Sequence, residues 1–260
     1  MSGLKRSMVL QRCRSDDNRG PKSSSILVLR GYTDAMDQTR VVEELNRRGY
    51  ADVGPILASK DTAALTALYS ADDAFRSRIV MRRHGFGEGE YKYFANPLPN
   101  QVSVLRESLY SFLSPIANQW QENIGADLRF PETHDEMLAR CHAAGQTRPT
   151  PLILKYGKGD YNCLHQDLYG EHMFPLQVVI LLSDVHDFEG GEFVLTEQRP
   201  RMQSRVEVVK LRMGHGVVFA VNERPKQGTR GYYRVKMRHG VSQLRSGERY
   251  TLGIIFHDAA

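Results

Sequence analysis

Apolar residues recur along this chain first at helical spacing and then, past its middle, at strand spacing. The strongest helical stretch runs from Gln101 to Ile124, where Val102, Leu105, Leu109, Phe112, Leu113, Ile116 and Trp120 return every three or four residues. They predict a packing helix with Trp120 in the core, which Ser114-Pro115 either kinks or divides. Shorter helices are expected over 34–48, with Asp34 as cap, Val41, Val42 and Leu45 inward and Gly49 as stop, over 60–69 after Ser59, and over 132–144. Val53 to Leu57 reads as a strand that Pro55 confines to an edge. Ser77 to Arg82 reads as another.

From Pro151 the helical period stops. Short β-branched and aromatic runs separated by Gly and Asp turns predict strands near 152–156, 162–168, 174–184, 191–198, 206–212, 216–221, 232–240 and 249–257. The expected fold class is α+β: a double-sheet jelly roll, or cupin-like double-stranded β-helix, with N-terminal helices packed on one sheet. The expected organisation is a basic tail over 1–25, a helical part over 26–150 and the strand-rich core over 151–260, with 26–260 forming one globular unit. Ile26 to Leu29 is a short strand or a hydrophobic anchor.

Composition adds little to that picture. At 260 residues, 41% hydrophobic and 25% charged, the chain suits a globular protein with a sizeable core. The longest apolar run, Val178 to Leu182, is far short of the ~18 residues of a membrane span. The N-terminus lacks the pattern of a secretory signal, so a cytoplasmic location without a membrane partner is expected. Cys13, Cys141 and Cys163 are too few and too scattered for a disulfide framework, and no disulfide partner is expected. Cys163 reads as a small buried residue beside the candidate site described next.

That site is His165-Gln166-Asp167. On a strand, residues two apart share a face, so an imidazole and a carboxylate can reach one metal ion. His239 is the best third ligand, and two His with one carboxylate on one face form the arrangement of non-haem Fe(II) oxygenases. Ten residues after His239 come Arg249 and Thr251, whose guanidinium and hydroxyl fall on one side and suit a carboxylate. The remaining histidines read as decoys. His186 and His215 sit in turns and His257 lies where the C-terminus would fray, while His172, in a loop after the ligand strand, is no ligand but a candidate for contacting one. His134 and His142 read as surface residues of a polar helix.

Two further stretches bear on a substrate. Residues 84–100 (HGFGEGEYKYFANPLPN) combine Gly85, Gly87 and Gly89 with Tyr91, Tyr93 and Phe94. They read either as a lid whose aromatics stack on a planar group or as a hairpin packed on the core. Phe94 is assigned to the core, while Tyr91, Tyr93 and the nearby Arg82 are candidate substrate contacts. From Arg224 to Arg249 there are eight Lys or Arg against the single acid Glu248, and Arg76, Arg78, Arg82, Arg83 and Lys92 form a second basic stretch. Flanking the metal, they would make a positive rim for a polyanion such as nucleic acid; as a solvated face they would mean nothing, and charge alone leaves both open.

These residues resemble the Fe(II)- and 2-oxoglutarate-dependent dioxygenases over about 150–258. Lys155-Tyr156-Gly157-Lys158-Gly159 followed by His165-Gln166-Asp167 is similar to the AlkB demethylases, and Glu189-Gly190-Gly191-Glu192-Phe193 with the His239-to-Arg249 interval is similar to prolyl hydroxylases. The tail from Arg238 to Ala260 resembles most closely a bacterial 2-oxoglutarate oxygenase family acting on alkylated, damaged DNA. Two departures from AlkB stand out: Arg245 and Arg249 are four apart rather than six, and Leu154 occupies a position that is polar there.

The resemblance implies Fe(II) on His165, Asp167 and His239, and 2-oxoglutarate held by Arg249, Thr251 and Tyr156. It also implies O2 as co-substrate, ascorbate as a candidate reductant, and oxidative dealkylation of damaged nucleic-acid bases with release of succinate and CO2. The alternatives are a protein or amino-acid hydroxylase with the same centre, and a metal-binding jelly roll without turnover.

Overall fold

The computed structural model describes residues 36–260. The basic tail, Ile26 to Leu29, Cys13 and the expected cap Asp34 lie outside the described residues. Helix α1, Gln38–Arg48, is capped by Asp37, whose side chain accepts from the Arg40 amide, and ends on Gly49 at φ 83°. That glycine closes the helix as the sequence predicts, donating its N–H to the Leu45 carbonyl. Strand β1, Tyr50–Pro55, and helix α2, Ser59–Leu68, follow. Then come β2, Phe75–Val80, β3, Gly87–Glu88, and β4, Glu90–Phe94.

Helix α3, Asn100–Asn123, runs 24 residues with Pro115 inside it, undivided. Buried side chains on both sides of the proline, Leu109 and Leu113 before it and Ile116 and Trp120 after it, hold the helix to the core. That packing outweighs the single lost hydrogen bond. Helix α4, His134–Ala143, starts with a complete capping box between Thr133 and Glu136.

The remaining strands are β5 (Leu152–Tyr156), β6 (Tyr161–His165), β7 (Leu176–Leu181), β8 (Phe188–Gly190), β9 (Phe193–Gln198), β10 (Ser204–Val209), β11 (His215–Ala220), β12 (Glu223–Gly228), β13 (Gly231–Val241), β14 (Leu244–Gly247) and β15 (Arg249–Ile254). The fold is sheet-rich α+β with antiparallel sheets. A seven-stranded sheet has the order β1-β11-β7-β15-β5-β4-β2, and a second sheet has β10-β9-β13-β6-β3 with β12 on β13. β8 and β14 pair separately. The polar strand β12 and the short β14 were not legible as strands.

Period-2 alternation sorts the residues of β7 between two cores. On β7, Val178 and Ile180 pack with Val218, Ala220, Leu252 and Ile254 in the core that also takes Leu45, Leu105, Leu109 and Trp120 from the helices. Val179, between them, joins Phe193, Leu195, Val217 and Phe219 in a second core. Fully burying each such side chain contributes roughly 1.5–3 kcal/mol.

The glycine-rich stretch is neither a lid nor a self-contained hairpin. β3 pairs with β6 in one sheet, and β4 pairs with β2 and β5 in the other, so the chain crosses between sheets at Gly89. Gly87, at φ 126°, lies so close to β6 that a Cβ would stand 2.4 Å from the Tyr161 carbonyl oxygen.

Candidate metal centre

His165 ends β6 directly opposite His239 on β13, and the two ring centroids are 4.2 Å apart. Asp167 lies beyond the end of β6, so the two-residue alternation expected on one strand does not place it. Side-chain bonds do. Gln166 Nε2 donates to Asn222 Oδ1 at 2.6 Å and to the Met237 carbonyl at 2.8 Å, turning the chain inward. The Tyr169 hydroxyl then donates to Asp167 Oδ1 at 2.8 Å.

One ligand atom from each of His165, Asp167 and His239 falls within 4.8 Å of the others. His165 Nε2 is 3.4 Å from Asp167 Oδ1, and His239 Nε2 is 3.4 Å from Oδ2. His165 Nδ1 lies 2.8 Å from the Cys163 carbonyl, a contact that orients the ring with Nε2 toward Asp167. The Phe219 ring packs 4.8 Å from the His239 ring and fixes its plane.

Burial raises the Asp167 carboxyl, but hydrogen bonds from His165 and His239 outweigh it and hold the group well below the usual carboxylate range. Burial lowers His239, and its bond to Asp167 offsets that only in part. For His165, burial lowers the value and the bond to Asp167 raises it, with a net rise.

A cavity of about 370 Å³ runs from this cluster to Arg249, and Tyr156, Thr251, Tyr91 and Tyr93 also line it. Arg249 and Tyr156 face each other in register on β15 and β5. Three arginines are deeply buried in the described residues: Arg106, Arg224 and Arg249. Arg106 pairs with Asp258 and Arg224 with Glu197. Arg249 makes no ion pair among the described residues; its Nη1 and the Tyr156 hydroxyl are both buried without a hydrogen-bond partner. Burial pushes the Arg249 guanidinium down to about 10. A buried cation with no counter-ion is costly, and an anion in the cavity would offset that cost.

Sequence reasoning missed two polar residues here. Tyr169 orients Asp167, and its only signal was its place two residues further on. Gln177, the one polar residue of the otherwise apolar β7, is buried in the cavity wall with its Nε2 unpartnered. Tyr91 and Tyr93 line the cavity as an edge-on pair, and the Tyr93 hydroxyl lies 3.4 Å from that of Tyr169.

Several expectations are corrected. Arg82 is exposed, pairs with Glu88 at 2.7 Å and does not line the cavity. Cys163 is exposed rather than buried, at the cavity mouth. His134 is buried, with Nε2 2.9 Å from the Phe256 carbonyl. His257 is fully buried, not frayed: its Nδ1 accepts from the Phe174 amide. His215 opens β11 beside Asp52 instead of lying in a turn.

The basic stretches do not form one continuous rim. Arg224 is buried against Glu197 and Lys92 against Tyr69 and Asp72, while Arg78 pairs with Glu90. Around the mouth the residues are instead largely apolar: Phe86 is 47% exposed, Leu164 48% and Leu168 50%.

Residues 89–259 match the family Oxygenase-NA, described as an oxygenase catalysing oxidative methylation of damaged DNA. The chain belongs to this oxygenase family. The matched span holds the whole histidine–aspartate cluster and Arg249. A relative from Mycobacterium tuberculosis strain H37Rv, described as uncharacterized protein Rv2227, is 54% identical over 192 residues, 74% of this chain and 80% of its own.

Among solved structures, a prolyl hydroxylase from Trichoplax adhaerens, in complex with a hypoxia inducible factor peptide fragment, matches with TM-score 0.51 and 14% identity. The match covers 88% of this chain and 92% of that one. The non-heme α-ketoglutarate-dependent epimerase SnoN from nogalamycin biosynthesis matches with TM-score 0.51 and 14% identity, over 84% and 81%. At such identity these likenesses concern the fold alone. As an oxygenase, the chain is an enzyme. No helix among the described residues is long and apolar enough to cross a membrane.

Proposed function

We propose that the two sheets form a double-stranded β-helix that carries an Fe(II)- and 2-oxoglutarate-dependent oxygenase site, and that its substrate is an alkylated nucleic-acid base. The observation that carries the cofactor reading is Arg249, without an ion pair among the described residues, side by side with Tyr156 on neighbouring strands in the wall of a cavity that ends at two histidines and a carboxylate. The donor set fits Fe(II), since two imidazoles and a carboxylate on one side leave positions open. The unpartnered Arg249 Nη1 and Tyr156 hydroxyl fit a carboxylate, with the buried Thr251 two residues along the strand of Arg249.

His165 Nε2, His239 Nε2 and Asp167 Oδ2 would hold the iron, because Tyr169 already occupies Oδ1. Arg249, Tyr156 and Thr251 would hold the far carboxylate of 2-oxoglutarate. Bound there with O2, iron and 2-oxoglutarate supply oxidising chemistry that releases succinate and CO2, ascorbate being a candidate reductant. Leu152, Leu154, Val179 and Ile255 keep water from the cavity wall. On an N-alkyl base, hydroxylation of the alkyl carbon gives a hemiaminal that collapses to aldehyde and free base. Reaching the site requires a base that is unpaired or flipped out, and Tyr91 with Tyr93 offers rings for it to pack on.

The family's description supports the nucleic-acid substrate. The apolar mouth of Phe86, Leu164 and Leu168 favours a second reading, hydroxylation of a peptide. Purified protein given Fe(II), 2-oxoglutarate and either an N-methylated single-stranded oligonucleotide or proline-containing peptides decides between them. Succinate and formaldehyde formed together with the oligonucleotide, and lost in Asp167→Ala, are expected. Succinate coupled to peptide alone would overturn the nucleic-acid reading. No Fe(II)-dependent succinate with either would overturn the oxygenase assignment of this cluster.

A further inference from the structure

The strand that ends at His239 has a second face. Its alternation buries Val235, Met237 and His239 and leaves Tyr232, Arg234, Lys236 and Arg238 exposed. One side of β13 thus ends in a candidate iron ligand, and the other is a row of three cations headed by an aromatic ring that is 43% exposed. At about 3.4 Å per residue, neighbouring cations are about 6.8 Å apart along the strand. Each can therefore meet a different phosphate of an extended chain instead of crowding one.

Of the row, Arg234 adjoins the surroundings of the metal cluster. A second cavity of about 200 Å³ is bordered by Arg234, Pro225, Trp120 and Met173, and its wall includes Asp167 and Leu168, which also line the first cavity. The acid facing the row is Glu223, opposite Lys236 in register and 3.8 Å from Arg234. Among the described residues, Lys236 and Arg238 make no ion pair. Three cations against one carboxylate leave the strip positive.

We propose that the outward face of β13 is the track for the phosphodiester backbone of a nucleic acid whose neighbouring base enters the metal cavity. Tyr232 heads the row beside Arg234 as a stacking platform. This rests on the nucleic-acid reading above and adds a location that the sequence's diffuse basic stretches could not give.

The full-length protein and a fluorescent oligothymidylate, titrated across a series of KCl concentrations, test it. Each contact to a single strand contributes about 0.7 to the slope of log affinity against log salt. Substituting Arg234→Gln, Lys236→Gln and Arg238→Gln together is expected to lower the slope by about 2 and affinity at low salt by about tenfold or more; Arg238→Gln alone should lower the slope by about 0.7. Iron and 2-oxoglutarate binding should be unchanged. The exposed trio Arg201→Gln, Lys210→Gln and Arg212→Gln should leave the slope as it was.

A wild-type slope in the strip variant, an equal loss in the control, or polyglutamate competing charge for charge would each overturn the track. If the wild type itself binds the oligonucleotide without salt dependence, the nucleic-acid reading falls with it. Binding that persists with an unchanged slope in the strip variant overturns the track alone.

Discussion

The Tyr169 hydroxyl donates to Asp167 Oδ1 at 2.8 Å, leaving Oδ2 toward His239. Tyr169 is held in turn by Gln146, whose buried side chain donates to the Tyr169, His172 and Asp258 carbonyls and accepts from the His172 amide. The carboxylate is therefore oriented by a bonded chain reaching the helical layer. Removing such outer support typically costs 10–100-fold in metal affinity. Tyr169→Phe should weaken Co(II) or Fe(II) binding by about tenfold or more and alter the visible spectrum of the Co(II) protein, while thermal stability changes little. An unaltered spectrum and affinity would show that Asp167 needs no such support.

Arg249→Leu separates the two halves of the site. It removes an unpaired buried cation, so the fold should not suffer, and calorimetry should show 2-oxoglutarate affinity falling by about 100-fold, in line with roughly 3 kcal/mol for a charge-assisted contact. Metal affinity should hold. Equal loss of both would mean that Arg249 supports the metal cluster rather than the co-substrate.

Acid should unfold the protein through two buried histidines. Burial lowers His134 and His257 from the ordinary 6.5 to about 4. Between those values the unfolded chain binds more protons than the folded one, so stability falls as pH drops through that window. Each histidine removes about 2 kcal/mol by pH 5. Urea midpoints measured from pH 7 to pH 4.5 should decline steeply, and His134→Gln should flatten the decline. A pH-independent midpoint would mean that both rings take up protons in the folded protein as readily as in the unfolded chain.

Arg224 is a structural cation. It is fully buried, pairs with Glu197, and donates to the Asn46 and Arg47 carbonyls at the end of α1. Glu197→Gln should destabilise by about 3–5 kcal/mol, because it strands a buried charge, whereas Arg224→Met with Glu197→Leu should recover most of that loss. Denaturant unfolding of the three variants checks this. A double variant no better than the single would make the pair itself stabilising.

What the sequence by itself determined were the features carried by local period and chemical type. Helical spacing from Val102 to Trp120 drew α3, and alternation drew most of the strands after Pro151. The rarity of a His-x-Asp followed by a distant His and an Arg-x-Thr singled out His165, Asp167, His239, Arg249 and Thr251. What only the tertiary structure decided were relations across long sequence separations. The register of β13 on β6 sets His239 against His165. Asp167 is aimed by Gln166 and Tyr169 after its strand has ended, and Glu197 takes Arg224 out of the basic stretch while no acid among the described residues pairs with Arg249. Periodicity reports which face a residue occupies, but a buried charge is structural or ligand-binding according to what stands opposite it, and only the folded chain brings that partner near.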